Sequence, residues 1–473
     1  MAPPLTIRNL TSTPLELKLI ERYEAPGTTK AKGLGKLTHN VTTLVSPSSK
    51  KLAENAQSFA RQDVNVRIDP FRSHTTEIQA SEREPSETLR LTFETDGQRY
   101  RIDTPSHTRA SQALTPLVPD PKRQYTAIFF KEESHLSIFS SANLQCWMRE
   151  LSDGTPLSGL SIPGTHNSPT HHRALPSVRC QAVSPKEQLD NGVRFFDIRV
   201  QPEHPDNPSK DGLILVHGVF PVSLTGSKHL RGLINDVHDF LKRNPSETVI
   251  VSLKREGTGN STDEQLSMIL HDHYANEDPN WWYTEPRIPK LGEVRGKLVL
   301  LRRFCIDDRL KTEHNGTGWG LEAENWAYNT PDDTHGLVRV QDFCEVLETE
   351  NIEIKTKYAM EHLARAAECV APLPGITTDA VNPVPPGPLY LNFLSASNFW
   401  KVGCWPEKIA AKLNPAIVEH LCTKHHCDAG HGDGSTGVVV CDWVGEDGDW
   451  DLVRCIVGMN SYLEMREKKE EGA

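Results

Sequence analysis

Ile162-Pro-Gly-Thr-His166-Asn167-Ser168, Val193-Arg-Phe-Phe-Asp197-Ile-Arg199 and Ile214-Leu-Val-His217-Gly218 follow one another in the middle of the chain. Each is a short apolar run of strand length that ends in polar, chemically able side chains. They are read as strands over 159–163, 194–199 and 213–216, and five more runs follow at 248–253, 297–301, 337–340, 389–393 and 438–441. Segments of helical period lie between most of them, at 228–243, 263–274, 359–370 and 407–421, and Ser261-Thr-Asp-Glu264 reads as a capping box opening one helix. Strands alternating with helices predict an α/β architecture. Eight strand candidates predict a closed (β/α)8 TIM-like barrel, with room for distortion. Such barrels carry their chemistry at the C-terminal strand ends, where all these polar groups fall.

Two histidines and an arginine on consecutive strand ends suit the acid–base cleavage of a phosphodiester. One imidazole takes a proton from an attacking hydroxyl and the other returns one to the leaving oxygen. The guanidinium matches the non-bridging phosphate oxygens with a planar fork that keeps its charge. Each residue also has a plainer account by itself. A strand-end histidine is commonly structural, and Arg199 could simply pair with Asp197. Only the conjunction points to catalysis.

Four further strings extend the pattern: Asn244-Pro-Ser-Glu-Thr-Val-Ile-Val-Ser-Leu-Lys254, Arg295-Gly-Lys-Leu-Val-Leu-Leu-Arg-Arg303, Leu389-Tyr-Leu-Asn-Phe and Gly437-Val-Val-Val-Cys-Asp442. In order and spacing, residues 151–445 resemble the catalytic X region of phosphatidylinositol-specific phospholipases C of the bacterial, single-region type. The resemblance implies that His166 is the general base, oriented by Asp442, and that His217 is the general acid. It implies that Arg199 binds the phosphate with Asp197 orienting it, and that Lys254, Arg303 and Asp342 contact the inositol or its phosphate. The products would be diacylglycerol and inositol 1,2-cyclic phosphate, with no cofactor.

Two departures from the family pattern stand out. Cys344 occupies the place of an aromatic residue that the bacterial pattern carries. Asn167 replaces an aspartate that supports the acid histidine, so slower protonation of the leaving group is expected. Calcium-dependent relatives also have His-Asn here, with Asn as a metal ligand. They carry carboxylates where this chain has Arg199 and Lys254, so no metal is expected. Two rivals are a catalytically impaired protein that binds lipid headgroups and a metal-dependent glycerophosphodiester phosphodiesterase-like barrel.

Residues 1–145 have a different texture. Short β-type runs at 5–9, 15–21, 64–68, 89–93, 99–102, 126–130 and 136–139, parted by turn-rich stretches, predict a small antiparallel β-sandwich. The barrel is expected over 146–460 and a frayed charged tail over 461–473. The 473 residues are 37% hydrophobic and carry a net charge of −11, from 52 basic and 63 acidic residues. That balance speaks against nucleic acid and against strong electrostatic adhesion to anionic membranes. The expected partner is an inositol phospholipid met transiently at a membrane surface. No apolar run approaches a membrane span, and Met1-Ala-Pro-Pro-Leu-Thr-Ile-Arg lacks the n- and h-regions of a signal peptide. A cytoplasmic location with peripheral membrane contact is the expectation, and the ten cysteines are expected mostly as free thiols.

Four remaining features are weaker. Cys422, His425, His426, Cys427 and His431 have the composition of a zinc site without its tighter paired spacing. Gly432-x-Gly434-x-x-Gly437 precedes a strand and so is no dinucleotide fingerprint. Trp281-Trp282-Tyr283 precedes a strand and belongs to packing at the N-terminal face. Phe220, Phe399, Trp400 and Trp443 follow strands and are candidates for the rim of the site.

Overall fold

The computed structural model describes residues 3–24, 52, 55–79, 87–105, 111–207, 209–373, 378, 381, 385–426 and 432–471. Two compact units divide between Ser141 and Ala142.

The first unit contains β1 (Pro4–Leu10), β2 (Leu15–Glu24), β3 (Ala60–Ile68), β4 (Ser73–Gln79), β5 (Glu87–Thr95), β6 (Gln98–Thr104), β7 (Ser111–Ala113), β8 (Thr115–Pro116), β9 (Tyr125–Phe130) and β10 (His135–Ser140). They form two five-stranded sheets, β4-β1-β10-β9-β7 and β3-β2-β5-β6-β8. Leu5, Ile7, Leu136 and Ile138 from one sheet and Leu17, Ile20, Leu91 and Phe93 from the other share one apolar cluster. Alternation explains most of this burial. In β2 a bulge between Leu17 and Leu19 re-phases the strand, so Leu15 and Leu17 are followed inward by Ile20. One pair, β1 with β10, is parallel. This departs from the wholly antiparallel expectation, because the first and last strands of the unit are not joined by a hairpin.

The second unit contains β11 (Ile162–Thr165), β12 (Phe195–Pro202), β13 (Leu213–His217), β14 (Phe220–Pro221), β15 (Val249–Arg255), β16 (Trp282–Tyr283), β17 (Leu298–Arg303), β18 (Leu321–Glu322), β19 (Asp333–His335), β20 (Val338–Gln341), β21 (Leu389–Phe393) and β22 (Val438–Cys441). Its sheet runs β16-β17-β15-β12-β11-β22-β21-β20-β19. Every neighbour on that path is parallel except β19 with β20. The helices are α1 (Pro185–Asp190), α2 (Leu230–Arg243), α3 (Asp263–Leu270), α4 (Leu291–Val294), α5 (Glu313–Gly316), α6 (Asn351–Ala367), α7 (Pro406–Thr423), α8 (Asp451–Met459) and α9 (Ser461–Glu471). In α2 the buried stripe Leu230, Leu233, Ile234, Val237, Phe240 and Leu241 has the spacing of a helix lying on a sheet.

Four expectations need correction. Among the described residues no ladder joins β17 or β18 to β19 or β20, so the sheet is a curled, open half-barrel rather than a closed ring. The segment that would close it offers only the two-residue β18 and the antiparallel β19. The run 213–216 belongs to β13, which pairs antiparallel with the end of β12. Residues 203–212 are too few for a parallel crossover, which takes a dozen or more. The capping box is formed by Thr262 and Gln265, one residue beyond the expected pair. The terminal segment is helical to Glu471 rather than frayed. The Asn460 amide before it grips the Ser161 backbone through both an N–H and a C=O, each at 2.9 Å.

Beneath the sheet, Arg194 precedes β12 and Glu247 precedes β15. Their side chains are fully buried and 2.9 Å apart. Arg194 also donates to the carbonyls of Leu144, Gln145, Leu189 and Val193. Among the described residues no helix is long and apolar enough to cross a membrane.

Candidate active site

Strands β11 and β22 pair in parallel up to Thr165 opposite Cys441. The next residue of each strand is therefore His166 and Asp442, which meet although 276 positions apart. His166 Nδ1 donates to Asp442 Oδ1 at 2.9 Å. Nε2 is then the nitrogen with a lone pair, and the Asn167 amide donates to it at 3.2 Å. The buried Gln181 side chain ties both strand ends together through the carbonyls of His166 and Cys441, at 2.7 and 3.0 Å. Burial lifts the Asp442 carboxyl above its ordinary range, and the adjacent His166 opposes that lift.

His217 arrives on the β13–β14 hairpin. Its ring lies 5.8 Å from that of His166, at an interplanar angle of 87°. Nδ1 donates to the Val178 carbonyl at 3.0 Å, and Cys180 Sγ lies 3.8 Å from the same nitrogen. Among the described residues no carboxylate is hydrogen-bonded to this ring. Burial, the Arg199 charge and His166 push its pKa down to about 4. Asn167 was expected to bear on this histidine, but its side chain instead meets His166. Its φ of 42° lies in the left-handed region that asparagine tolerates better than most residues.

Register aligns three cations. Arg199 on β12 pairs with Lys254 on β15, which pairs in turn with Arg303 on β17. Asp197, fully buried, binds Arg199 Nη2 at 3.1 Å, Arg303 Nη1 at 3.3 Å and the Asn167 backbone N–H at 3.1 Å. Burial would raise its pKa, but the two guanidiniums prevail and hold it well below the usual carboxylate range. Glu256 does the same on the outer side. It accepts from Arg199 at 2.9 Å, from Lys254 at 3.0 Å and from the Gly218 N–H at 2.8 Å. Burial acts against its charge, yet Arg199 and Lys254 bring its pKa down to about 2.

One cavity of about 490 Å³ is lined by His166, Arg199, His217, Lys254, Arg303 and Asp342, together with Trp326, Tyr328, Cys344 and Glu345. The predicted residues thus converge, with Asp197, Asn167 and Asp442 directly behind the lining ones. Asp342 accepts from Trp326 Nε1 at 3.1 Å, and the same indole lies under the Arg303 guanidinium at 3.9 Å. Tyr328 Oη donates to Glu345 at 2.7 Å. Glu256, Trp326 and Tyr328 were not foreseen. Strand alternation from Lys254 would have flagged Glu256 as its neighbour on the same face. The two aromatics sit on the irregular stretch between β17 and β20, where no period marks them.

The other features fall elsewhere. Trp282 and Tyr283 are buried beside the start of β17. Phe220 and Phe399 stack at 6.1 Å with an interplanar angle of 5°, and Trp400 beside them is 89% exposed. Trp443 is partly buried under the Arg179 guanidinium at 4.7 Å, so it is not a free rim residue. Cys427 and His431 lie outside the described residues. Cys422 Sγ is 3.7 Å from Cys455 Sγ.

A calcium ion needs several oxygen donors. Both Asp197 oxygens are engaged by guanidiniums, and Lys254 and Arg303 share the same wall. These residues do not fit calcium.

Residues 154–304 match the family model described as "Phosphatidylinositol-specific phospholipase C, X domain". A curated relative, a 1-phosphatidylinositol phosphodiesterase of Listeria monocytogenes, is 32% identical over 45% of this chain and 65% of its own length. One of Staphylococcus aureus is 26% identical over 66% of this chain and 92% of its own. A solved variant of the Staphylococcus aureus phosphatidylinositol-specific phospholipase C has a TM-score of 0.51 at 25% identity, covering 67% of this chain and 96% of that one. The match begins just before β11 and ends just after β17, so it contains both histidines and the row of three cations. In fold, motif order and matched region the chain is similar to phosphatidylinositol-specific phospholipases C, and residues 154–304 carry the X-domain match.

Proposed function

We propose that the chain cleaves phosphatidylinositol, or a closely related inositol lipid, to diacylglycerol and inositol 1,2-cyclic phosphate without a metal. The observation that carries this reading is the pair of histidine rings facing one another at 5.8 Å beside Arg199 in a single cavity.

In this mechanism His166 Nε2 takes the proton of the inositol 2-hydroxyl as its oxygen attacks phosphorus. Asp442 stabilises the imidazolium that forms. Arg199, already oriented by Asp197 and Glu256, binds the non-bridging oxygens without reorganising during the reaction. Lys254 and Arg303 extend the positive wall towards the inositol, and Asp342 accepts from its hydroxyls. His217 protonates the departing diacylglycerol oxygen. Its depressed pKa makes this the slower half of the proton transfer until the substrate phosphate, a negative charge close by, raises it.

Residues 1–141 are proposed as a β-sandwich accessory domain and residues 142–460 as the barrel-type catalytic domain. Membrane contact is proposed through Phe220, Phe399 and Trp400, whose exposure beside the hairpin carrying His217 suits shallow, reversible insertion. A cytoplasmic location belongs to the same proposal.

Phosphorus NMR of the purified protein with phosphatidylinositol vesicles, with and without EDTA, tests the reading. A cyclic inositol phosphate signal that survives the chelator is expected. Loss with EDTA would make the reaction metal-dependent, and no product across related lipids would leave a headgroup-binding protein.

A further inference from the structure

A ring nitrogen of His166, Cys180 Sγ and a carboxylate oxygen of Asp442 all lie within 4.8 Å of one another. Neither the acid–base mechanism nor the resemblance uses Cys180. Its thiol is buried behind both histidines, 3.8 Å from His217 Nδ1 and 3.7 Å from the Val178 carbonyl. Among the described residues this is the one such cluster. Nitrogen, sulfur and oxygen donors together suit zinc-like ions, whereas calcium and magnesium take oxygen. Bonds of about 2.0–2.3 Å to such donors require the Cys180 thiol to close in and the His166–Asp442 pair to open slightly. His166 Nδ1 and Asp442 Oδ1, at 2.9 Å, already share a proton where the ion would sit.

We propose that His166, Cys180 and Asp442 form an inhibitory site for a thiophilic divalent cation such as Zn2+ or Cd2+. The cation replaces the proton between His166 Nδ1 and Asp442 and takes the Cys180 thiolate as its third ligand. The ring proton moves from Nδ1 to Nε2, the thiol proton leaves to solvent, and no electron is transferred. Water fills the fourth position. With a cation on Nδ1 and the proton on Nε2, the imidazole loses its orienting carboxylate and has no lone pair left to take the substrate's proton. The base is then silenced while the phosphate-binding wall stays intact. The inhibitory consequence rests on the proposed function; the binding does not.

The test uses the full chain with Co2+ as spectroscopic probe and Zn2+ as inhibitor. Wild type should show a thiolate-to-cobalt charge-transfer band, and Cys180→Ser should lack it. Zn2+ should inhibit turnover of phosphatidylinositol vesicles, while Ca2+ and Mg2+ should not. Cys180→Ser should need at least ~10-fold more Zn2+ for the same fractional inhibition, each variant being compared with its own metal-free rate. Cys180→Ala, with its fold checked by circular dichroism, guards against an unfolded serine variant. No band in wild type would overturn the proposal. So would a band and Zn2+ sensitivity unchanged in both variants, which would put the metal on other thiols such as Cys422. A band lost with Cys180, from a protein with no metal-free turnover, would support the site and overturn the enzymatic reading instead.

Discussion

Arg194 immediately precedes β12 and Arg199 lies within it, five residues on, and both pair with carboxylates. Their surroundings differ in one decisive respect. Arg194 is sealed: Glu247 and four backbone carbonyls take its donors, and the Phe240 ring lies 4.5 Å from its guanidinium carbon. Arg199 is held by Asp197 and Glu256, yet it lines the cavity and its buried Nε has no partner among the described residues. The same chemistry therefore seals a charge at the N-terminal face of the sheet and, in the proposed mechanism, presents one to the substrate phosphate at the C-terminal face. Complete satisfaction leaves nothing to offer a ligand. Partial satisfaction leaves an oriented cation facing open space.

The largest effect should come from breaking the sealed end. Arg194→Met strands the Glu247 carboxylate in the core and should cost about 3–5 kcal/mol of stability. Chemical denaturation measures this, and turnover per folded molecule should stay near wild type. A loss below 1 kcal/mol would mean that water reaches Glu247. Arg199→Met should do the opposite. Turnover should fall ~10²–10³-fold by loss of a preorganised phosphate donor, while the melting temperature changes little. A variant that unfolds but keeps its rate when folded would erase the contrast between the two ends.

The two histidines sharpen the comparison within the open end. His166→Ala and His217→Ala should each lose at least ~10²-fold on phosphatidylinositol. A substrate with an acidic leaving group needs no general acid, so it should restore much of the rate to His217→Ala and none to His166→Ala. Equal rescue of both would refute the division of roles.

Asn167→Asp probes the contact that the fold revealed. A carboxylate 3.2 Å from His166 Nε2 favours imidazolium, so the base deprotonates only at higher pH. The acidic limb of the kcat/KM profile should move up by about one pH unit. An unmoved limb would take the Asn167 side chain away from His166.

The smallest effect is on acid stability. Burial holds His217 and His171 at about 4 and His362 at about 3, against 6.5 for the free side chain. The unfolded chain thus binds more protons between those values, and stability falls as pH drops below 6.5 towards 4. Melting temperature followed from pH 7 to 4 should decline, and His217→Gln should decline less steeply.

Much of this was legible in the chain. Apolar runs of strand length ending in His166, Arg199, Lys254 and Arg303 located the C-terminal face, because period-2 burial and strand polarity are local properties. The reach of β13 was legible too, since ten residues cannot make a crossover, although the run was read as part of the wall. Beyond that, pairing decides. That Asp442 meets His166 depends on β22 closing against β11, a contact between chain-distant strands. Whether Asn167 faces one histidine or the other turns on a single positive φ. Glu256 could have been read by alternation from Lys254, but Trp326 and Tyr328 became visible only once three strands and one irregular loop enclosed the same space. Local patterns encode which face a side chain takes; which charges share a cavity, and which are sealed, follows from packing that no neighbouring residue announces.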